Sequence, residues 1–225
     1  VRLIKPGDLQ SPLSETIYIF LIAKTCTIQK NAVSLRLKKG IGEMIIANNE
    51  YRKLPVGIQS FNVIREEGYL YVDKTDMIWK LANQGFKYNY LSRPRRFGKS
   101  VLIDTLQAYF EGRKDLFEGL KIMELEKDWK QYPVIRLDMS RGGATANEVK
   151  AYLDRTFDVY EQLYGIHIKP TDSLGNRFDL IIKTAYKQTG ANVAILIDEY
   201  DSPLQHSWKT PEHEGCTDVY RSVFA

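Results

Sequence analysis

Cysteine is scarce in this chain of 225 residues: there are two, Cys26 and Cys216, with no Cys-x-x-Cys or Cys/His spacing between them. Neither a zinc site nor a disulfide framework is indicated, and a reducing, cytoplasmic compartment fits best. Long apolar runs are lacking too. The longest early one, Ile17 to Ala23, is far short of the roughly 20 residues that span a bilayer, and no small-residue cleavage signature follows it. No signal peptide, transmembrane helix or membrane partner is expected. Neither sign of charge dominates: a net charge of +4 and a pI near 8.9 permit nucleic acid without demanding it. Internal repeats and low-complexity segments are absent as well. What is there, 44% hydrophobic and 27% charged residues, is the balance of a soluble globular protein with one core of ordinary size.

Residues 1–43 stand apart. They carry no sustained helical period and only short strand-like pieces, Thr16 to Ala23 and Val33 to Leu37. The chain starts with Val1, so translation from Met44 is expected, with residues 1–43 an irregular extension outside the natural protein. A small β-rich N-terminal piece is the alternative. From Leu54 onward the pattern becomes regular. "GYLYVDKTDMIWKLANQG" reads as a short strand and then a helix, with Asp73 or Thr75 as N-cap, Met77, Ile78 and Leu81 on one face and Gly85 as the stop. "KYNYLS" reads as a strand, and "KSVLIDTLQAYFEG" as a helix with Val101, Leu102, Leu106, Tyr109 and Phe110 at helical spacing until Gly112. After a polar connector come the strand "YPVIRLDMS" and two amphipathic helices, "ANEVKAYLDRTFDVYEQLYG" and "RFDLIIKTAYKQTG", each ended by glycine. "NVAILIDEYDSPL" is a continuous apolar run ending in acids, the mark of a strand buried on both faces of a parallel sheet. Strands alternating with helices indicate an α/β fold.

Between the strand "KYNYLS" and the following helix lies an arginine-rich loop ending in Phe97-Gly98-Lys99-Ser100, the closing half of a phosphate-binding P-loop. Consecutive backbone N–H groups at a helix N-terminus curl round phosphate oxygens, the lysine reaches the terminal phosphates, and the hydroxyl ligates Mg²⁺. Arg93 occupies the place of the opening glycine, but Pro94 fixes φ where the turn begins. Arg93, Arg95 and Arg96 add guanidinium donors suited to phosphate. A solvated basic loop is the plainer reading of such a run. The second signal is Asp198, at the end of an apolar strand and followed by Glu199. An Asp there can hold Mg²⁺, usually through water, and the adjacent Glu can orient and deprotonate an attacking water. An acidic strand end alone is more often a solvated loop; downstream of a strand, a Gly-Lys-Ser loop and a helix, it favours a nucleotide site.

The runs "LPVGIQSFNVIREEGYLYVDKT", "YLSRPRRFGKSVLIDTLQAYFEG", "DLFEGLKI", "YPVIRLDMS" and "ILIDEYDSPL" closely resemble the bacterial AAA-ATPase-like family, whose P-loop typically reads RPRRFGKS. The resemblance spans Leu54 to about Leu204, and the arginine in place of the first glycine is the family's own habit. It implies a three-layer αβα P-loop NTPase with a parallel sheet over residues 44–225, truncated after the Walker B strand. It implies ATP as nucleotide, Mg²⁺ as cofactor and hydrolysis in the full-length protein, with this chain weak or inactive. Position by position, Arg93, Pro94, Arg95, Arg96, Phe97, Gly98, Lys99, Ser100 and Val101 would bind the nucleotide, and Ser100 and Asp198 the metal. Lys99 would neutralise phosphate, Glu199 would be the catalytic base, and "YVDKT" would border the adenine. Asp201 either joins the metal site or caps the next segment, the cap being favoured. Members commonly carry a later PD-(D/E)XK nuclease-like domain, the route to any nucleic-acid partner, which is not in this chain. A GTP-binding protein is less favoured, because no Asn/Thr-Lys-x-Asp box follows the loop and "DKTD" at Asp73 precedes it. A nucleic-acid-binding or regulatory module coupled to a nuclease is the other alternative. With so few residues after Asp198, the P-loop strand and the strand ending at Asp198 are expected to lack the neighbour that normally lies between them.

Overall fold

The computed structural model describes residues 16–23, 43–46, 50–93, 97–167 and 172–224, with the backbone alone at 16–23, 43–46, 50, 51 and 93. Among these residues the strands are β1 (Thr16–Ala23), β2 (Glu43–Ile46), β3 (Glu50–Lys53), β4 (Tyr88–Arg93), β5 (Val134–Asp138) and β6 (Val193–Asp198). The α-helices are α1 (Phe61–Glu66), α2 (Thr75–Asn83), α3 (Lys99–Phe110), α4 (Ile122–Leu125), α5 (Ala146–Tyr164), α6 (Leu174–Thr189), α7 (Ser202–His206) and α8 (Glu212–Phe224). Two compact units interleave along the sequence: residues 1–23, 86–93 and 131–225 form the first, and residues 24–85 and 94–130 the second.

The first unit is a mixed α/β structure around a four-stranded parallel sheet in the order β4-β1-β6-β5. Every residue of β6 is buried, which its unbroken apolar sequence permits on both faces at once. In β5, Ile135 and Leu137 are buried and their neighbours half-buried. The outer edge of β5 is closed by α5: the Arg136 N–H donates to the Tyr160 hydroxyl at 2.7 Å and the Asp138 N–H to the Tyr152 hydroxyl at 2.7 Å. Those donors would otherwise be an open edge. A capping box starts α5, where the Glu148 N–H donates to Thr145 Oγ1 and the Thr145 N–H to Glu148 Oε2. Between α5 and α6 the buried Arg177 donates to the buried Glu161 (2.8 Å) and to Asp154 (2.6 Å) and Asp158 (2.7 Å), beside the stacked rings of Phe157 and Phe178. At the start of α6, Gly175 lies so close to α8 that a Cβ there would stand 2.1 Å from the Ser222 carbonyl oxygen.

The position between β4 and β6 is filled. β1 occupies it, pairing Phe20 with Tyr90 on one side and with Ile197 on the other. The expected gap is therefore corrected, because Thr16–Ala23 is a strand in the middle of the sheet. Val33 to Leu37 lies outside the described residues.

In the second unit an aromatic core forms around Phe61, with rings of Tyr71 and Phe117 at 5.1 Å and Trp129 packed on Phe117 at 5.2 Å. The connector expected to be polar contributes to it: Leu116 and Phe117 on a 3-10 turn (Lys114–Phe117) and Ile122 on α4 are buried. The expected strand in "GYLYV" is absent, since its backbone makes isolated hydrogen bonds, Tyr69 N–H to Ile64 O and Leu70 N–H to Lys53 O, and no ladder. On α2, Ile78 is buried and Leu81 half-buried, but Met77 is exposed. The N-cap of α2 is Lys74, neither of the two expected residues; Asp73 precedes it, and its Oδ1 accepts from Thr75 N and Oγ1 at 2.9 and 2.7 Å.

Candidate functional site

The described part of the Gly-Lys-Ser loop, residues 97–101, belongs to the second unit. Gly98 has φ +71° and ψ 27°, left-handed values that suit glycine, and α3 starts at the next residue. The Leu102 N–H donates to the Gly98 carbonyl at 3.0 Å. The N–H groups of Lys99, Ser100 and Val101 precede this first helical bond, so they have no acceptor within the helix. The Lys99 side chain is buried, Ser100 and Val101 are half-buried and Phe97 is exposed. α3 is anchored by Ile103, Leu106, Ala108, Tyr109 and Phe110, and Asp104 Oδ2 accepts from the Phe61 N–H at 3.3 Å, fixing the start of α1. Arg93 ends β4, and Pro94, Arg95 and Arg96 lie outside the described residues.

Asp198 and Glu199 belong to the first unit. Because all four strands are parallel, Ala23, Arg93, Asp138 and Asp198 end on the same edge of the sheet, the edge where open α/β sheets take ligands. Asp198 is 6% exposed, and its Oδ1 accepts the Glu199 N–H at 3.0 Å. Glu199 is half-buried and has φ +51°, a left-handed conformation uncommon for a side-chain-bearing residue and one that collects at functional sites. The turn closes with the Ser202 N–H donating to the Glu199 carbonyl at 2.8 Å. Behind it, the Tyr220 hydroxyl donates to the Tyr200 carbonyl at 2.8 Å, and the two rings pack edge to face with Phe224. Burial pushes both phenols well above the ordinary tyrosine range, so both stay protonated. Asp201 stands at the N-terminus of α7, but its side chain accepts from Gln205 instead of capping the helix.

One strand-end acid escaped the sequence reading. Asp138 pairs in register with Asp198; its Oδ1 accepts from Ser140 N and Oγ at 3.2 and 2.6 Å, and Arg141 Nε lies 3.2 Å from Oδ2. The signal was the same as for Asp198, an apolar strand ending in a carboxylate. Tyr220 is a second omission, a buried prop for the turn that carries Glu199. In "YVDKT", Asp73 Oδ2 accepts the Lys121 N–H at 2.8 Å, and the buried Thr75 Oγ1 accepts the Ile122 N–H at 3.1 Å.

The parallel sheet with its helices defines the class as a mixed α/β protein. A family model described as "Predicted AAA-ATPase" matches residues 55–225, and the chain belongs to that family. It is 39% identical over 180 residues to an "Uncharacterized protein in vnfD 5'region" of Azotobacter chroococcum mcd 1, covering 76% of this chain and 34% of that protein. The chain thus spans about a third of the length of this relative. No solved structure matches. Among the described residues no helix is long and apolar enough to cross a membrane, and no group of three or more His, Cys, Asp or Glu could hold a metal ion.

Proposed function

We propose that the chain is the ATP-binding module of a Mg²⁺-dependent ATPase. The observation that carries this reading is Gly98 in the left-handed region directly ahead of α3, in a chain of the predicted AAA-ATPase family. The stretch Arg93 to Val101, with Pro94, Arg95, Arg96 and Phe97 leading into Gly98, wraps the phosphates. The N–H groups of Lys99, Ser100 and Val101 donate to their oxygens, and the Lys99 ammonium neutralises the terminal phosphates. Ser100, through its hydroxyl, and Asp198, through its carboxylate, are the residues that would hold Mg²⁺. One hydroxyl and one carboxylate are hard oxygen donors, and two protein ligands suit an ion that keeps several waters and takes the rest from phosphate. When bound, Mg²⁺ supplies charge to offset that developing on the phosphoryl oxygens. Glu199, raised from the end of β6 by its positive φ, accepts a proton from the attacking water.

Calorimetry tests the loop. Lys99→Ala should weaken Mg-ATP binding by about 10- to 100-fold, the worth of a hydrogen bond to a charged group, with the melting transition kept as the check on folding; unchanged affinity removes Lys99 from the site. Glu199→Gln keeps shape and loses the base. Phosphate release should fall by about 10²- to 10⁴-fold while ATP affinity holds. ATP should outcompete GTP in the same titration.

A further inference from the structure

The chain leaves β6 through a sharp turn, and Glu199 makes that turn at φ +51°, where a Cβ crowds the following carbonyl. A side-chain-bearing residue persists in such a conformation when its surroundings over-determine the backbone. Two of the bonds that do so are local. The Glu199 N–H donates to Asp198 Oδ1 at 3.0 Å and the Ser202 N–H to the Glu199 carbonyl at 2.8 Å; both belong to the turn and would move with it. A third comes from α8. The Tyr220 hydroxyl, 20 positions along the chain, donates to the Tyr200 carbonyl at 2.8 Å and ties down the residue next to Glu199. α8 is a firm support: Val219, Tyr220, Val223 and Phe224 are buried, Cys216 Sγ lies 3.6 Å from the Ala144 carbonyl oxygen, and Gly175 of α6 approaches the Ser222 carbonyl so closely that a side chain there would collide with it. Tyr200 and Phe224 hold the Tyr220 ring edge-on, and burial keeps its phenol protonated, so the donor is fixed in place and present at neutral pH.

We propose that Tyr220 is a positioning residue for Glu199: through the Tyr200 carbonyl its hydroxyl holds the left-handed turn, and it thereby sets the rate of phosphate release and not the affinity for ATP, a role that rests on Glu199 being the base. The split follows from where the bond acts. A base displaced by about 1 Å loses up to about 100-fold in rate, while the N–H groups at the start of α3 that take the phosphates are untouched by α8. Tyr160 offers the contrast within the same unit, because its hydroxyl accepts the Arg136 N–H inside β5 and does not hold the turn.

Tyr220→Phe and Tyr160→Phe in the whole chain test this, since each keeps its ring and loses one hydroxyl. Both should lower the melting temperature by a similar amount. Tyr220→Phe alone should slow phosphate release from Mg-ATP by about 10- to 100-fold at unchanged KM and unchanged ATP affinity in calorimetry. It should also speed amide exchange at Ser202, read by NMR, by about tenfold, the worth of one hydrogen bond. In a Glu199→Gly background the same Tyr220→Phe change should leave Ser202 exchange nearly as it was, because glycine keeps a left-handed turn without a prop. Ser202 exchange that Tyr220→Phe does not change overturns the positioning role, and so does faster exchange with phosphate release at the parent rate, or an equal slowing by Tyr160→Phe. The ATPase reading fails separately: Glu199→Gln at the parent rate removes the base. Should the parent release no phosphate, that reading fails, and the exchange comparison between the Glu199 and Glu199→Gly backgrounds still decides whether the hydroxyl holds the turn.

Discussion

In the first unit, backbone donors are taken up by strand ladders and, along β5, by the hydroxyls of Tyr152 and Tyr160. In the second, carboxylates do much of that work. Asp73 accepts from the N–H groups of Thr75 and Lys121, and Glu126 Oε1 accepts those of Lys127 and Asp128 while its Oε2 takes the Tyr109 hydroxyl. The first unit keeps its densest charge in one place, where Arg177 is held among Glu161, Asp154 and Asp158. The first unit thus combines ladders and hydroxyl contacts with one dense ion cluster and a few carboxylate acceptors such as Glu148, while the second spreads ionised acceptors along its connecting segments. They should respond differently to loss of a charge, loss of a hydroxyl and a fall in pH.

The largest effect is expected from the cluster. Arg177→Ala leaves the buried Glu161 carboxylate without its main partner, and breaking a buried pair from one side costs about 3–5 kcal/mol. Denaturant unfolding should show this loss, with hydrogen exchange placing it on α5 and α6. Removing the charge from both sides, Arg177→Met with Glu161→Leu, should recover most of it, since apolar replacement of a buried ion pair is often neutral. If the double variant is as weak as the single, the arginine's other carboxylates, Asp154 and Asp158, carry the stability.

A smaller loss is expected in the second unit from Tyr109→Phe. The hydroxyl donates to Glu126 at 2.5 Å and accepts from Asn83 Nδ2 at 3.3 Å. Its removal should cost about 1.5 kcal/mol, the lower end for a hydrogen bond to a charged group, because Glu126 keeps its backbone donors. The ring stays packed on Phe110, Phe117 and Trp129, so a loss as large as that from Arg177→Ala would mean that the hydroxyl orders the whole Glu126 turn.

The same contrast explains what could be read from the residues alone. β4, β5, β6, α3, α5 and α6 were legible because their signals are local: an apolar run, a helical period, and glycines at left-handed positions such as Gly165 and Gly190 that end α5 and α6. The location of Lys99 at the start of a helix and Asp198 at the end of a strand was legible for the same reason. The rest depends on partners distant in sequence. Thr16–Ala23 reads as strand-like, but its place between β4 and β6 is set by pairing with residues 70 and 177 positions away, which no local pattern carries. Phe117 and Ile122 sit in a stretch whose charged residues made it look like a solvated connector, and only packing against Phe61 and Thr75 makes it core. Asp138 matters because β5 lies beside β6, a fact of topology.

The smallest effect, and the one that separates the units without a mutation, is the response to acid. Burial pushes the Asp73 and Glu126 carboxyls up, but the hydrogen bonds they accept outweigh it and hold both below the usual carboxylate range. In Asp73 the donors are the Lys121 N–H and the Thr75 N–H and hydroxyl; in Glu126 they are the Tyr109 hydroxyl and the N–H groups of Asp128, Lys127 and Trp129. Asp115, beside Arg113, is lowered as well, mainly by the guanidinium hydrogen bonds. For a group whose folded pKa is depressed, the unfolded chain binds protons first, so the stabilisation is complete above the unfolded value and is lost as pH falls through the folded one. In the first unit the corresponding group is Glu148, an exposed capping carboxylate lowered by the N–H of Ala144 and the hydroxyl and N–H of Thr145. With three such carboxylates against one, acidification from about pH 5 to pH 3, across the ordinary carboxylate range, should reduce amide protection around α2, α4 and the Glu126 turn before it reduces protection in β5 and β6. Asp73→Asn should flatten that dependence in the second unit only, because the amide keeps an acceptor oxygen for Thr75 while removing the titrating group. Equal loss of protection in both units over the same pH interval would mean that the carboxylate acceptors contribute no more to the second unit than the ladders and tyrosine hydroxyls do to the first.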